Sequence, residues 1–450
     1  MNSQKTLANT QNNKNAQRLR DRKTSSELIK GVAWSKIKNI PEDWKSNNLE
    51  RSIDLQTGNN FSSENFVDKG GLPLIRIRDL PTGETETNYQ GEYDDQYIIT
   101  PKDLLVGMDG EFKPYLWKGE KALLNQRILK IESEEYNKFF LRYSLEKPLR
   151  YIQKSISGTT VKHLSQKDIK KINLPTPEPP EQRKIASVLY NVDRAIQKTE
   201  EIIEQTQRVK KGLMQDLFTE GYYSHEEFEE KSRFGKIPAE WKVKKLKEIS
   251  DVVGGSTPNT KEKEYWGGEI PWVTPTELTD LEANTLEETD RNITEEGLNS
   301  SSAELLPPKS LLMTSRASIG MCAINDVEMA TNQGFQSLVP DEEVDVWYLM
   351  YRMRFESPYL NSLGAGSTFS EVSNSMMKKV EIPIPAKEEQ VKIGETLRDV
   401  DEQIFSLKEE KKQLQRLKKG LMQDLLTGEV RTKDKDIEVL DEVMEVEKSG

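Results

Sequence analysis

Two sets of polar side chains in this 450-residue chain have the chemistry to read hydrogen-bond patterns on another molecule. The first is Arg76, Arg78, Lys113, Tyr115, Gln126 and Arg127; the second is Thr274, Thr276, Ser315, Arg316, Asn332 and Gln333. A guanidinium suits bidentate contact with the edge of guanine, and an Asn or Gln amide suits adenine, each such pairing discriminating by about 1–3 kcal/mol. A third group, Thr159, Thr160 and Lys162 with Ser367 and Thr368, lies in or beside Gly-Ser/Thr loops. Hydroxyls, backbone N–H groups and an ammonium there suit phosphate oxygens. Asn332-Gln333 repeats Asn125-Gln126, so these pairs have a second reading, a capped turn of the scaffold.

The motifs of bond-making chemistry are missing. The chain has no Gly-x-Gly-x-x-Gly, no Gly-x-x-x-x-Gly-Lys-Ser/Thr and no Asn/Asp-Pro-Pro-Tyr. His163 and His225, the two histidines, stand far apart, and Cys322, the single cysteine, has no neighbouring base or metal-ligand cluster. We expect no catalytic residue, no metal site and no cofactor bound by this chain.

The elements that position these side chains are announced by a repeat. Arg208-Val209-Lys210-Lys211-Gly212-Leu213-Met214-Gln215-Asp216-Leu217 returns as Arg416-Leu417-Lys418-Lys419-Gly420-Leu421-Met422-Gln423-Asp424-Leu425, 208 residues later. A unit of that length is domain-sized, far beyond the roughly 20–50 residues of solenoid repeats. Other landmarks recur: Ile40-Pro41-x-x-Trp44 and Ile237-Pro238-x-x-Trp241, Gly58 and Gly255, Gly158-Thr159-Thr160 and Gly366-Ser367-Thr368, Pro175-x-Pro177 and Pro383-x-Pro385. About ten extra residues fall between Gly255 and Asn332, as a loop insertion would. Between the landmarks the halves diverge: Arg76-Ile77-Arg78-Asp79 stands where Thr274-Pro275-Thr276-Glu277 stands, and Gly107-Met108-Asp109-Gly110 where Thr314-Ser315-Arg316-Ala317 stands. One scaffold with different surface side chains is the pattern of two readers of two targets.

After each Pro-x-Pro comes a helical pattern. Ile185, Leu189, Val192, Ile196, Thr199 and Ile203, and Ile393, Leu397, Val400, Ile404, Leu407, Lys411, Leu414, Leu417, Leu421 and Leu425, recur at steps of three and four, a mostly apolar stripe that needs a partner. The simplest partner is the other copy, paired antiparallel so that Ile185 lies near Leu421–Leu425. Gly212 and Gly420 within the stripe allow close helix approach or a bend. The segments before the helices read as mixed α/β, with strands at 74–77, 97–99 and 127–131 and helices at 137–152 and 346–362.

Composition bounds the partners. The net charge of −11 is uneven: acids crowd 282–296 and the C-terminal tail, while Arg150, Lys154, Lys162, Lys167, Lys170 and Lys171 crowd one stretch with Asp168 alone opposing. Such a local basic face can meet phosphates with modest, salt-sensitive affinity. No run reaches the ~18 apolar residues of a membrane span, and one cysteine fits a reducing cytoplasm.

The ordered set of landmarks, used twice over about residues 33–428, resembles the specificity subunits of type I restriction–modification systems. The resemblance implies an α+β chain: target-recognition domain 1 (33–178), a central helical spacer (179–220), a linker (221–235), target-recognition domain 2 (236–385) and a C-terminal helical spacer (386–428), with a lead (1–32) and an acidic tail (429–450) outside the resemblance. It implies two tandem mixed α/β recognition domains separated by long helices that pair as an antiparallel coiled coil. Each domain would read one half of a bipartite, asymmetric double-stranded DNA site, and the helices would set the spacer. Two methyltransferase (M) subunits carrying S-adenosylmethionine, and restriction (R) subunits using ATP and magnesium, are the implied partners in the cytoplasm. The alternatives are a stand-alone methyltransferase or nuclease, a coiled-coil adaptor without a DNA role, or a specificity subunit whose partners are lost.

Overall fold

The structure, a computed structural model, describes residues 40–156, 163–316, 318–365 and 371–444. It divides into two compact units that do not follow the linear order: one takes the chain up to Gln197 together with Gln413 onward, the other takes Lys198–Lys412. Each unit therefore holds one of the two α/β segments, the opening of one long helix and the end of the other. The helices run Pro179–Thr219 and Lys387–Thr427, 41 residues each and so about 60 Å long.

In the first unit a four-stranded antiparallel sheet has the order Asp54–Thr57, Ile128–Glu132, Leu104–Gly107, Pro114–Leu116. A second sheet sets Leu72–Ile75 parallel to Ala122–Leu124. Leu104–Gly107 and Ala122–Leu124 are fully buried and read as continuous apolar runs, whereas Asp54–Thr57 has no buried residue. The helix Lys138–Ser155 starts where the Asn137 side chain accepts from the Phe139 and Phe140 N–H groups, and its Phe139, Phe140, Tyr143 and Leu149 enter the main core. Ile185, Ala186 and Leu189 of the first long helix enter the same core beside Leu425 and Leu426 of the second. That is the antiparallel contact the repeated stripe predicts.

The second unit repeats the plan. Ser250–Gly254, Gln336–Pro340, Leu311–Met313 and Cys322–Asn325 reproduce the four-strand order, with Thr285–Leu286 added at the edge. Trp266–Val273 runs parallel to Ala330–Thr331, as Leu72–Ile75 does to Ala122–Leu124. The end of the first long helix (Leu217, Phe218) shares a core with the start of the second (Ile393, Leu397). The helix expected over 346–362 is broken into Val346–Phe355 and Ser357–Gly364. Pro358 lies in the first turn of the second piece, where a missing N–H costs nothing.

The recurrent residues turn out to be fastenings. Glu181 and Glu389 accept the indole N–H of Trp44 (3.0 Å) and Trp241 (3.1 Å). Gln182 and Gln390 accept the N–H of the capping residues Asn137 and Asp345, both at 2.9 Å. Asp193 binds Lys418 (2.7 Å) and Tyr143 (2.8 Å) in the first unit, while Asp401 binds Lys210 (2.6 Å) and Tyr351 (2.8 Å) in the second. The near-identity of the two helical copies follows, since each supplies the carboxylate to one unit and the lysine to the other. Gly212 and Gly420 do not serve close approach: a Cβ at either would meet nothing within 4 Å, and the helices pass through both unbroken.

The acidic tail is built into the first unit over its described residues. Arg431 bonds Asp43 and Glu181, the Leu440 N–H donates to Ser187, and Val443 is buried in the main core. Asp43 is held down to about 2, chiefly by the Arg431 hydrogen bond. Within the linker 221–235 the structure starts a hairpin of Phe228–Lys231 with Gly235–Pro238, after Tyr222 and Tyr223 have donated their N–H groups to Glu389.

Candidate nucleic-acid interface

In the first unit four of the six anticipated side chains meet. Arg76, Arg78, Gln126 and Arg127 line one open depression of about 720 Å³ with Asn60, Ser62, Ser63, Phe61, Phe66 and Asn125. Its floor depends on Gly58. A Cβ there would lie 2.2 Å from the Leu124 carbonyl oxygen and 2.3 Å from that of Asn125, so only glycine lets the two loops close together. The loops are then tied by hydrogen bonds from the Asn59 N–H to Leu124 and from the Gln126 N–H to Asn59, both 2.9 Å. Gly255 does the same in the second unit, where a Cβ would lie 2.0 Å from the Asn332 carbonyl oxygen.

The cations are oriented rather than loose. The Arg76 guanidinium lies 5.5 Å from the centre of the Phe66 ring. Its backbone N–H donates to Asp79 at 2.7 Å, opening the short 3-10 turn Ile77–Asp79. Burial raises the Asp79 carboxyl above its ordinary value against that bond and the nearby Arg78 charge. Arg78 pairs with Glu86 at 2.6 Å, and Arg127 stands 3.5 Å from Asp109, which also holds His163 at 2.8 Å. Lys113 and Tyr115 are not among the residues lining the depression: the ammonium lies 5.5 Å from the centre of the Tyr115 ring, and Tyr115 packs, partly buried, against the core cluster that contains Trp117.

In the second unit the structure corrects three choices. Ser315 is fully buried (0 % exposed), with its hydroxyl donating to the Gly334 carbonyl, and presents nothing to a ligand. Its neighbour Arg316 faces out and pairs with Glu371 at 2.8 Å. Thr274 is a helix cap, its N–H donating to Glu277 at 2.9 Å and its hydroxyl bonded to the same carboxylate. Asn332 is also a turn residue, its side chain accepting from the Gly334 N–H at 2.8 Å, while Asn125 accepts from the Arg127 N–H at 3.3 Å. Thr276 and Gln333 remain at the surface, with Thr257 bonded to the Gln333 amide oxygen. Thr159, Thr160, Lys162, Ser367 and Thr368 lie outside the described residues.

Missed by sequence reasoning were Asn60, Ser62 and Ser63 in the first depression; their place just after Gly58 was the available signal. The two histidines are structural, His163 on Asp109 and His225 on Glu389 at 3.0 Å. Burial pushes the Cys322 thiol up to about 12, the reverse of a reactive cysteine. Among the described residues no three His, Cys, Asp or Glu side chains gather as metal ligands.

The family model for the type I restriction modification DNA specificity domain matches residues 41–208 and again 238–416. The chain belongs to this family. Each match spans one α/β segment and most of the long helix that follows it. The MjaIX specificity subunit of Methanocaldococcus jannaschii is 42 % identical over 203 residues, 45 % of this chain and 47 % of that one, so this chain spans about half of that relative. The putative MjaX specificity subunit of the same organism is 26 % identical over 424 residues, 89 % of this chain and 96 % of its own. A crystal structure of the type I restriction-modification S subunit from M. genitalium shares the fold at a TM-score of 0.58 with 15 % identity, over 86 % of this chain and 97 % of that one. Among the described residues no helix of this family member is long and apolar enough to cross a membrane.

Proposed function

We propose that the chain is the DNA-reading subunit of a type I restriction–modification assembly and performs no bond chemistry itself. One observation carries this reading. The same loop-on-loop closure recurs, at Gly58 in one unit and Gly255 in the other, while the polar side chains of the two units differ: Arg76, Gln126 and Arg127 in the first, the exposed Thr276, Arg316 and Gln333 in the second. Guanidinium and amide groups held on a rigid platform match base edges in the major groove, and their divergence between units gives two unlike half-sites. The paired helices, pinned by the Asp193–Lys418 and Asp401–Lys210 ion pairs, set the length of the unread spacer. M subunits bring S-adenosylmethionine and methyl transfer; R subunits bring ATP, magnesium and cleavage; all work in the cytoplasm.

The test is exchange of residues 33–178 for another member's first recognition segment, with the M subunit co-expressed and the genome's methylated motif sequenced. One half of the motif should change, while the other half and the spacer stay. A change in both halves at once would refute separate readers.

A further inference from the structure

The second unit carries a guanidinium on an aromatic platform that matches Arg76 on Phe66, though it arrives from a different part of the chain. In the first unit a 3-10 turn, Ser63–Asn65, delivers Phe66, and Arg76 lies over its ring. In the second unit the 3-10 turn Lys263–Tyr265 delivers Trp266 at the corresponding place. The position equivalent to Arg76 is Thr274, whose N–H and hydroxyl are spent on Glu277, so it offers no cation. The cation comes instead from the inserted residues. The Arg291 guanidinium stacks 3.7 Å from the Trp266 ring centre and 5.1 Å from that of Trp272.

Three features mark this arrangement as built. Arg291 is the one Lys or Arg between Lys263 and Lys309, in a stretch rich in Asp and Glu. Yet among the described residues no carboxylate pairs with it, and its side chain is exposed. Its backbone is fixed, the carbonyl accepting from the Trp272 N–H (3.0 Å) and the Thr289 hydroxyl (2.8 Å). The two Trp rings meet edge to face at 5.0 Å, and the Trp272 indole N–H donates to the Ser256 carbonyl at 3.0 Å. Ser256 adjoins Thr257, which holds Gln333. A chain of contacts through Trp272, Ser256 and Thr257 thus links Arg291 to the exposed amide of the second reader. Stacking occupies one face of the guanidinium and leaves its donor edge open, the geometry that favours planar bidentate recognition.

We propose that Arg291 is a specificity-determining DNA contact of the second recognition unit, replacing in function the cation that Arg76 gives the first. This rests on the DNA-reading role above. The experiment selects duplex DNA from a randomised pool with the full chain purified with its M subunit, comparing wild type, Arg76→Ala, Arg291→Ala and Arg291→Lys. Failure of the wild type to select a bipartite motif would remove the DNA-reading role itself. Given a wild-type motif, Arg76→Ala should relax the first half alone. Arg291→Ala should relax one position of the second half and weaken that sequence by roughly tenfold or more. Arg291→Lys should share the relaxed preference, because an ammonium keeps charge without the stacked fork. A second half unchanged in Arg291→Ala, a lysine variant equal to wild type, or loss spread over both halves with unchanged preference, each overturns the inference.

Discussion

Replacing Asp401 by Asn tests the fastening between the second long helix and its unit. Asp401 is buried, and Lys210 (2.6 Å), Tyr351 (2.8 Å) and Asn284 (3.0 Å) all donate to it, with Arg354 at 3.8 Å. An amide removes the charge that offsets the half-buried Lys210 and turns an NH2 toward donors. Breaking a buried pair from one side costs about 3–5 kcal/mol. For a unit of the size of Lys198–Lys412 that is a fall of roughly 6–20 °C in melting temperature. Calorimetry of the full chain, with amide exchange read over 387–412, measures it. The control is Glu204→Gln, which removes the exposed Arg208–Glu204 contact at 3.5 Å and should shift stability by less than about 0.5 kcal/mol. The pH dependence adds a sign. Burial pushes the Asp401 carboxyl up, but the Lys210 bond and charge, with Asn284 and Tyr351, hold it below its ordinary 3.8. A depressed carboxyl stabilises above its unfolded value and loses that contribution as pH falls through the folded one. Wild type should therefore lose stability below about pH 4 more steeply than Asp401→Asn. If Asp401→Asn melts like the control, with protected amides at 387–412, the pair is not what fastens the helix.

Further expectations concern the loops, the tail and the helical glycines. Gly58→Ala should distort the Asn125–Gln126 loop and abolish selection of the first half-site alone, and Gly255→Ala the second alone, in the same duplex selection. Glu181→Gln should speed amide exchange over 429–444, because Glu181 accepts from Arg431, Thr432 and Lys433; unchanged exchange would show that the apolar contacts of Val443 suffice. Gly212→Ala and Gly420→Ala should each stabilise the chain by about 1 kcal/mol in urea titration, since nothing occupies the space a Cβ would fill; destabilisation would contradict the open surroundings.

The doubled landmarks and the three-four spacing were enough to establish two α/β recognition segments, two long helices and an antiparallel match of Ile185 with Leu425, because repeats and helical periodicity are one-dimensional signals. They also marked Arg76, Arg78, Gln126 and Arg127, which share one depression. What each side chain does there waited for the third dimension. Ser315 and Arg316 are neighbours, yet successive residues in extended chain point to opposite sides, so one is buried and the other faces out. Thr274 and Asn332 looked like readers by residue type, but their oxygens are committed to a cap and a turn three and two residues on. The tail reads as acidic on average, which hid Arg431, Leu440 and Val443, the residues that bind it to the first unit. Arg291 sits in an acidic insertion with no motif around it, and only the folding of Trp266–Val273 beside Asn292–Ile293 brings Trp266 beneath its guanidinium. Contacts between residues far apart in sequence depend on where the chain turns back, and no local pattern encodes that position.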